Sequence, residues 1–437
     1  MQALVPENGA GVSSGLINWA GNLTYRADTV HYPTTVAEVQ ELVARLPRAK
    51  ALGTRHSFNR VADSRGGALI SLAKLPSSIV VDADAGTVSV TGETTYGALA
   101  AELHAQGYAL PNMGSLPHIW VTGATSTGTH GSGDRNQVLS TAISAVEIVK
   151  PDGSLALIDR TNPELKAVAV GLGAFGVITR LDLDVQPTYQ IRQDIYRDAP
   201  WEDVLSAFDD VMASAYSVSL IGDFASPVID ELWQKTRIGP GSDDLREPPP
   251  APATLHGGTW YDDADQPPDH SHTVRAGIPG PWSERLPHFR PDAAPSAGGD
   301  ELQTEYFLDR HHAVDALRRL RSLAERISPH LHAAEIRTVA ADDLWLSPAY
   351  QRHSVCIGFT WRQHPGAVNA LLPVIEAALM PYEPRPHWGK LFAFSGQDLV
   401  HRFPRLTEFQ ELRRTHDPTG KFSHIQDDEG LALLGRL

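Results

Sequence analysis

Three stretches of this 437-residue chain gather residue types that can do chemistry. The first is LGTRHS, residues 52–57, in a loop after a short apolar run. An imidazole set there between an arginine and a serine suits a metal ligand, a catalytic base or a cofactor anchor. The second is NMGSLPHIWVTGATSTGTHGSG, residues 112–133, in which Gly114, Gly123, Gly128, Gly131 and Gly133 alternate with Ser and Thr. Glycine lets a backbone approach a ligand closely. Successive exposed N–H groups form an anion-binding concavity suited to a pyrophosphate. The pattern is neither GxGxxG opening a helix nor a P-loop, so it indicates neither of those nucleotide sites. The third lies late in the chain. Glu335 and Arg337 stand two apart on a predicted strand and therefore share a face. By default such a pair is a surface ion pair, and Lys390, after His387 and Trp388, is by default exposed.

A metal site finds little support. His56, His118 and His130 sit in the first two loops, among 19 histidines in all. Carboxylates are absent from both loops, Asp63 and Asp134 being the nearest, and no HExxH occurs, so no metal is expected. The single cysteine, Cys356, excludes an intramolecular disulfide and a thiolate zinc site. It lies in the apolar run SVCIGFTW and reads as a buried strand residue. A reducing cytoplasm is the expected location. A formal charge of −15 argues against nucleic acid as a partner. There is no polybasic patch or long apolar run for a membrane, and no basic-then-apolar start of a secretory signal.

The elements that must position these groups follow from periodicity. TTVAEVQELVARLPRAK (34–50) has helical spacing with Thr34 or Thr35 as its cap, and KALGT is a short strand ending at Gly53. Residues 77–107 read strand, Asp-Ala-Gly turn, strand, helix from about Tyr96. Residues 142–159 read as a hairpin turning at Pro151-Asp152-Gly153, and 171–187 as a glycine-punctuated turn into an alternating strand. Residues 240–300, rich in Pro, Gly and Asp, read as long surface loops. ELQTEYFLDR (301–310) reads as a strand and 311–327 as one amphipathic helix. Two strands follow over 332–364, then a helix in GAVNALLPVIEAALMPY and another in the tail. There is no internal repeat. The length suits two domains.

LGTRHS, GSLPHIWVTGATSTGTHGSG and GAFGVITRL together resemble the FAD-binding domain of the vanillyl-alcohol-oxidase-type flavoproteins. EIRTVAADDLWLSP (335–348), FTW (359–361) and HWGK (387–390) resemble the alditol oxidases of that superfamily, and the similarity runs from about residue 15 to 430. The resemblance implies an α+β fold. A PCMH-type FAD-binding domain would cover 1–187, and a substrate domain with an antiparallel sheet backed by helices 188–379. A segment over 380–437 would return to the FAD domain. The loops of 240–300 are expected to cover the pocket.

The resemblance also assigns residues. His56 stands where the family bonds covalently to the flavin 8α-methyl, a link that fixes the ring and strengthens it as an oxidant. Leu52, Gly53, Thr54, Arg55, His56 and Ser57 would wrap the pyrophosphate. Ser115, Trp120, Gly123, Thr127, Gly128, Thr129 and His130 would supply the other side, and the Val177 backbone would meet the adenine end. Arg337 and Lys390 would stabilise the alkoxide of a substrate alcohol, as an oxyanion hole does, with Glu335 orienting Arg337. Ser115, Gln303 and Thr360 would match further hydroxyls. Gly114 would leave oxygen a path to the reduced ring, making the protein an oxidase. One departure stands out: alditol oxidases carry a histidine two residues before the threonine of FTW, and this chain has Gly358.

The expected activity is oxidation of the terminal alcohol of xylitol, sorbitol or a similar polyol, releasing hydrogen peroxide. The protein is expected to act as a monomer, with polyol and oxygen as its small-molecule partners. A sugar-lactone oxidase or dehydrogenase of the same superfamily is the nearest rival. A non-catalytic flavin- or carbohydrate-binding protein and a metal-dependent hydrolase are the rivals from other classes.

Overall fold

The computed structural model describes residues 10–12, 15–239, 250–262, 271–294 and 300–423. The expected first helix spans Val36–Arg45. Thr35 caps it, its hydroxyl accepting from the Glu38 N–H, and Val39 and Val43 are buried. A side-chain oxygen at this position satisfies an amide that the helix itself cannot pair. The strand Ala49–Leu52 follows and ends at the glycine that opens the His56 loop. It pairs in parallel with Ala68–Ser71, which pairs in parallel with Thr29–His31.

A second sheet has the strand order Ile79–Asp82, Thr87–Thr91, Val177–Asp184, Ile143–Val149, Leu155–Asp159 and is antiparallel throughout. Val177–Asp184 alternates strictly, with Val177, Thr179, Leu181 and Leu183 buried. That period of two is the mark of a sheet with one face in the core. The Pro151-Asp152-Gly153 turn is present, with Gly153 at φ +84°. A side chain there would be strained and would press on Ala44 of the first helix.

The rest of the chain builds a ten-stranded sheet, antiparallel at every described pairing, from strands between Gln190 and Pro386. Toward one edge lie Leu331–Val339, Ser354–Trp361 and Leu302–Asp309, in that order, with Arg385–Pro386 outermost. Helices Ala313–Arg321 and Pro365–Leu379 pack against each other, and their buried apolar residues join the sheet's core cluster. Cys356 is a fully buried strand residue. No helix among the described residues is long and apolar enough to cross a membrane.

The chain's last described turn closes the first unit. Phe422 is fully buried against Val39, Val43, Val149 and Val177. Asp417 accepts the N–H groups of Lys421 and Phe422 at 2.9 and 2.7 Å, and the Ala49 N–H donates to Lys421 O at 3.1 Å.

One expected element differs. The amphipathic pattern of 311–327 is not one helix but Ala313–Arg321 followed by a separate turn at Ala324–Ile327. The Ser322 hydroxyl donates to the Arg319 carbonyl at 2.6 Å, diverting an acceptor that a continuing helix would use. Ile327 stays fully buried across the break, so the apolar stripe survives without the continuous hydrogen-bond ladder.

Glu376, on the Pro365–Leu379 helix, is buried. One of its oxygens accepts both the Tyr306 hydroxyl at 2.9 Å and the Ala393 N–H at 2.6 Å. Burial pushes its carboxyl up to about 7. A carboxyl raised in the folded state favours folding below the unfolded value and loses that contribution as pH rises through the folded one. Between about pH 4.5 and 7, Glu376 therefore lowers stability as pH rises. Glu376→Gln should flatten this part of the melting-temperature profile, removing a pH-dependent loss of about 3 kcal/mol.

Candidate active site

The glycine loops of the first unit face the strands Leu331–Val339, Ser354–Trp361 and Leu302–Asp309 of the large sheet across one cavity of about 670 Å³. That size lies within the usual range of about 300–1,000 Å³ for a small-molecule site. At one end it is lined by Leu52, Gly53, Thr54, Arg55, His56, Ser57, Trp120, Gly123, Thr127, Thr129 and His130. At the other end stand Gln303, Glu335, Arg337, Thr360 and Lys390, with Gly114 and Ser115 also in the lining. Two expected contacts fall outside the lining. Gly128, at φ +70°, makes the turn between Thr127 and Thr129 and packs on Pro348. The Val177 side chain lies in the core, while its neighbours Gly176 and Ile178 line the cavity.

Two sets of backbone ties hold the ends in register. The Phe58 N–H donates to Gly389 O at 2.8 Å. The Asn59 amide donates to the carbonyls of Trp388 and Lys390 at 2.8 and 2.7 Å, clamping the Lys390 turn to the His56 loop. On the other side the Gly133 N–H donates to Thr338 O at 2.9 Å, and the Ala340 N–H to Asn136 O at 2.8 Å. The glycine-rich loop is thus pinned to the end of the strand that carries Glu335 and Arg337.

Arg55 adopts φ +66°, a left-handed conformation unusual for a residue with a side chain. Its carbonyl accepts the Trp19 N–H at 2.8 Å and its guanidinium donates to Ile17 O at 2.9 Å, which holds the turn. The turn brings His56 under Trp19, with ring centroids 5.1 Å apart and nearly parallel. His56 Nδ1 is buried without a hydrogen-bond partner. Burial, with help from His118, pushes the imidazole down to about 4. At neutral pH it is therefore an uncharged ring with an unsatisfied nitrogen in a ligand-sized cavity. A Cβ on Gly123 would meet nothing within 4 Å, and one on Gly53 only Trp120 at 3.6 Å, so the backbone here is open to a close ligand.

The opposite end is charged. Glu305 on the Leu302–Asp309 strand has a fully buried carboxylate. It accepts from Arg337 Nη2 at 2.7 Å through one oxygen and from Lys390 Nζ at 2.8 Å through the other. His130 Nε2 lies 3.2 Å from the second oxygen without a well-aligned hydrogen bond, while His130 Nδ1 lies 2.8 Å from Gly131 O. Burial alone would raise the Glu305 carboxyl. Lys390, His130 and Arg337 outweigh it and hold the group well below the usual carboxylate range. Arg337 is raised above its ordinary value because Glu335 and Glu305 outweigh the effect of its burial. Burial lowers His130, and lowers His387 and His288 far below the ordinary imidazole range. Besides His130 Nε2, two polar atoms here remain unsatisfied: Glu335 Oε1 and Arg337 Nε are buried, 3.7 Å apart, with no hydrogen-bond partner. Substrate hydroxyls could satisfy both.

Sequence reasoning missed Glu305 and Asn59. The first was within reach, because Gln303 and Glu305 are two apart on one strand and so share a face. Asn59 carried no local signal, since its partners lie more than 300 positions away in the chain. His288 and Phe289 were missed too. They come from the Pro-rich region, and their N–H groups both donate to Ser115 O at 3.2 Å. His288 lies 3.7 Å from Glu335 Oε1 and against the Trp233 ring, so the described part of that region does border the pocket. Residues 240–249, 263–270 and 295–299 of that region lie outside the described residues.

A cavity that joins a glycine-rich cradle and an unpaired neutral imidazole to a buried cation pair suits a flavin dinucleotide held beside an oxygen-bearing substrate. Comparison with known proteins agrees. Residues 27–158 match the model of an FAD-binding domain, and 301–426 that of D-arabinono-1,4-lactone oxidase. The fold resembles cholesterol oxidase from B. sterolicum, with a TM-score of 0.75 over 95% of this chain and 96% of that one, at 15% identity. The protein is an FAD-dependent oxidoreductase. It is 41% identical to the alditol oxidase of a Streptomyces species, over 94% of this chain and 98% of that one. It is 27% identical to the L-gulono-1,4-lactone dehydrogenase of Mycobacterium tuberculosis, over 93% and 96%. The chain belongs to the alditol oxidase family.

Proposed function

We propose that this protein oxidises the terminal primary alcohol of an alditol such as xylitol or sorbitol to the aldehyde of the aldose, with oxygen reduced to hydrogen peroxide. The observation that carries this reading is the pair of cations, Arg337 and Lys390, held on one buried carboxylate at a cavity wall. Bound FAD supplies the hydride acceptor. The chain's own part is to bind, orient and stabilise. A primary alcohol is a very weak acid, so charge that develops on its oxygen needs fixed donors, and Arg337 and Lys390 provide them. Glu335, 3.7 Å from Arg337, accepts a hydrogen bond from a hydroxyl of the polyol chain. Ser115, Gln303 and Thr360 offer polar atoms to the remaining hydroxyls, so an alcohol lacking those hydroxyls would leave buried groups unpaired. The balanced reaction takes RCH₂OH and O₂ to RCHO and H₂O₂.

His56 holds the cofactor through a covalent bond from Nδ1, the nitrogen left without a partner and uncharged at neutral pH. Residues 52–57 and 123–130 wrap the rest of the dinucleotide, and the backbone at Val177 meets its far end. Gly114 keeps a path for oxygen open. A single methyl there would sit at contact distance, 3.4 Å from Thr129 Cγ2, so the path can be narrowed without disrupting the loop.

Four measurements test this reading. Purified protein should release peroxide in a one-to-one ratio with xylitol or sorbitol consumed, and far more slowly with an aldonolactone. Lys390→Met should cut kcat/KM for the polyol by about 10²–10³-fold; a faster lactone reaction would instead favour the lactone branch. Acid-precipitated protein should remain yellow, and the His56→Ala pellet should be white with its FAD in the supernatant. Gly114→Ala should slow reoxidation by oxygen while anaerobic flavin reduction stays unchanged, and equal reoxidation rates would exclude the gate.

A further inference from the structure

We propose that Glu305 is the positioning residue that sets the spacing of Arg337 and Lys390 and, by balancing their charge, fits the pocket to an uncharged polyhydroxyl chain. The inference deepens the alditol reading and rests on it.

Three observations carry it. The carboxylate is fully buried and divides its oxygens, one for each cation, so neither cation can shift without straining a charge-assisted hydrogen bond. Both cations keep donors to spare. Arg337 Nε is buried without a partner, and a lysine ammonium has three N–H groups, of which Glu305 takes one. The bridge therefore fixes both cations and leaves donors over for a single substrate oxygen. Finally, Gly358 leaves the Glu305 face clear. A Cβ there would stand 3.4 Å from Glu305 Oε1, so a polar side chain at this position would lie beside the oxygen that Arg337 uses.

The charge count gives the consequence for substrate. Within this cluster Glu305 and Glu335 balance Arg337 and Lys390, and the neighbouring imidazoles of His130, His288 and His387 are held toward their neutral forms; Arg197, Glu231, Arg275 and Glu301 line the same cavity outside it. A substrate carboxylate or phosphate placed against this cluster would lose its hydration and gain no net countercharge from it. A neutral polyol pays neither cost. Were Glu305 a core ion pair with no part in the reaction, its neutralisation would lower stability and leave substrate handling alone.

Glu305→Gln keeps the shape and removes the charge. In the yellow, folded variant, rapid-mixing measurement of anaerobic flavin reduction by xylitol should give a limiting rate about 10–100-fold lower. The apparent Kd for xylitol should change by no more than about threefold, because uniform binding is not what the bridge supplies. The unbalanced cations should also bind acetate at least about tenfold more tightly than in the wild type, read from perturbation of the flavin absorbance. Glu305→Asp should recover part of the rate and none of the acetate affinity. A yellow Gln variant with wild-type rate and acetate affinity overturns the proposal. Should that variant fold without cofactor, the wild type still decides: it should reduce its flavin with xylitol far faster than with xylonate, which carries the same terminal alcohol and a carboxylate. Equal rates overturn the proposal. If no polyol reduces the wild-type flavin, the alditol reading fails, while the acetate titration still reports on the role of Glu305.

Discussion

The site depends on a carboxylate that has no contact with water. Removing an ion from water costs several kcal/mol even after the protein relaxes around it. Glu305 offsets that cost with two charge-assisted hydrogen bonds at 2.7 and 2.8 Å, and in doing so brings two further charges to the cavity wall. Such an arrangement is sensitive to the loss of any one member, because a remaining charge would be left uncompensated. The strands around it are correspondingly rigid. Leu302–Asp309 pairs with Ser354–Trp361 along its whole length, and that strand pairs with Leu331–Val339. Three adjacent strands thus present Gln303 and Glu305, Thr360, and Glu335 and Arg337 to one cavity, while the fourth element, the Lys390 turn, is tied in from outside the sheet.

That tie shows how the two halves of the molecule share one function. The Lys390 turn has little regular structure of its own. Its carbonyls are held by Asn59, three residues after His56, and the Leu391 N–H donates to Gln303 O at 2.9 Å. The loop that carries His56 therefore also sets the position of Lys390 across the cavity. A displacement at either end reaches the other through two hydrogen bonds and a short stretch of backbone.

Most of this was legible in the sequence where local rules operate. The Thr35 cap, the Gly153 turn and the alternation of Val177–Asp184 are local, and each follows from the chemistry of a few adjacent residues. The residue types of the site were legible as well: His56, the glycine loop, the Glu335–Arg337 pair and Lys390 all line one cavity. The default reading of Glu335–Arg337 as a surface pair fails because neighbouring strands bury it, which no window along the chain reveals. Glu305 was within reach through its spacing from Gln303, but an acid in ELQTEYFLD looks like an exposed strand position until the neighbouring strands bury it. The break at Ser322 was hidden for the opposite reason, since the apolar spacing runs on unbroken through a hydrogen-bond defect.

The closing turn at Asp417–Phe422 carries a consequence for biosynthesis. Phe422 completes a core that otherwise belongs to the first 180 residues, and Lys421 donates to carbonyls of Val43 and Pro151. The Lys390 turn likewise reaches the His56 loop only near the end of translation. A nascent chain on the ribosome has the dinucleotide cradle in sequence long before it has the residues that seal it. A chain that stops before Asp417 therefore carries His56 and its loop without the turn that completes this core.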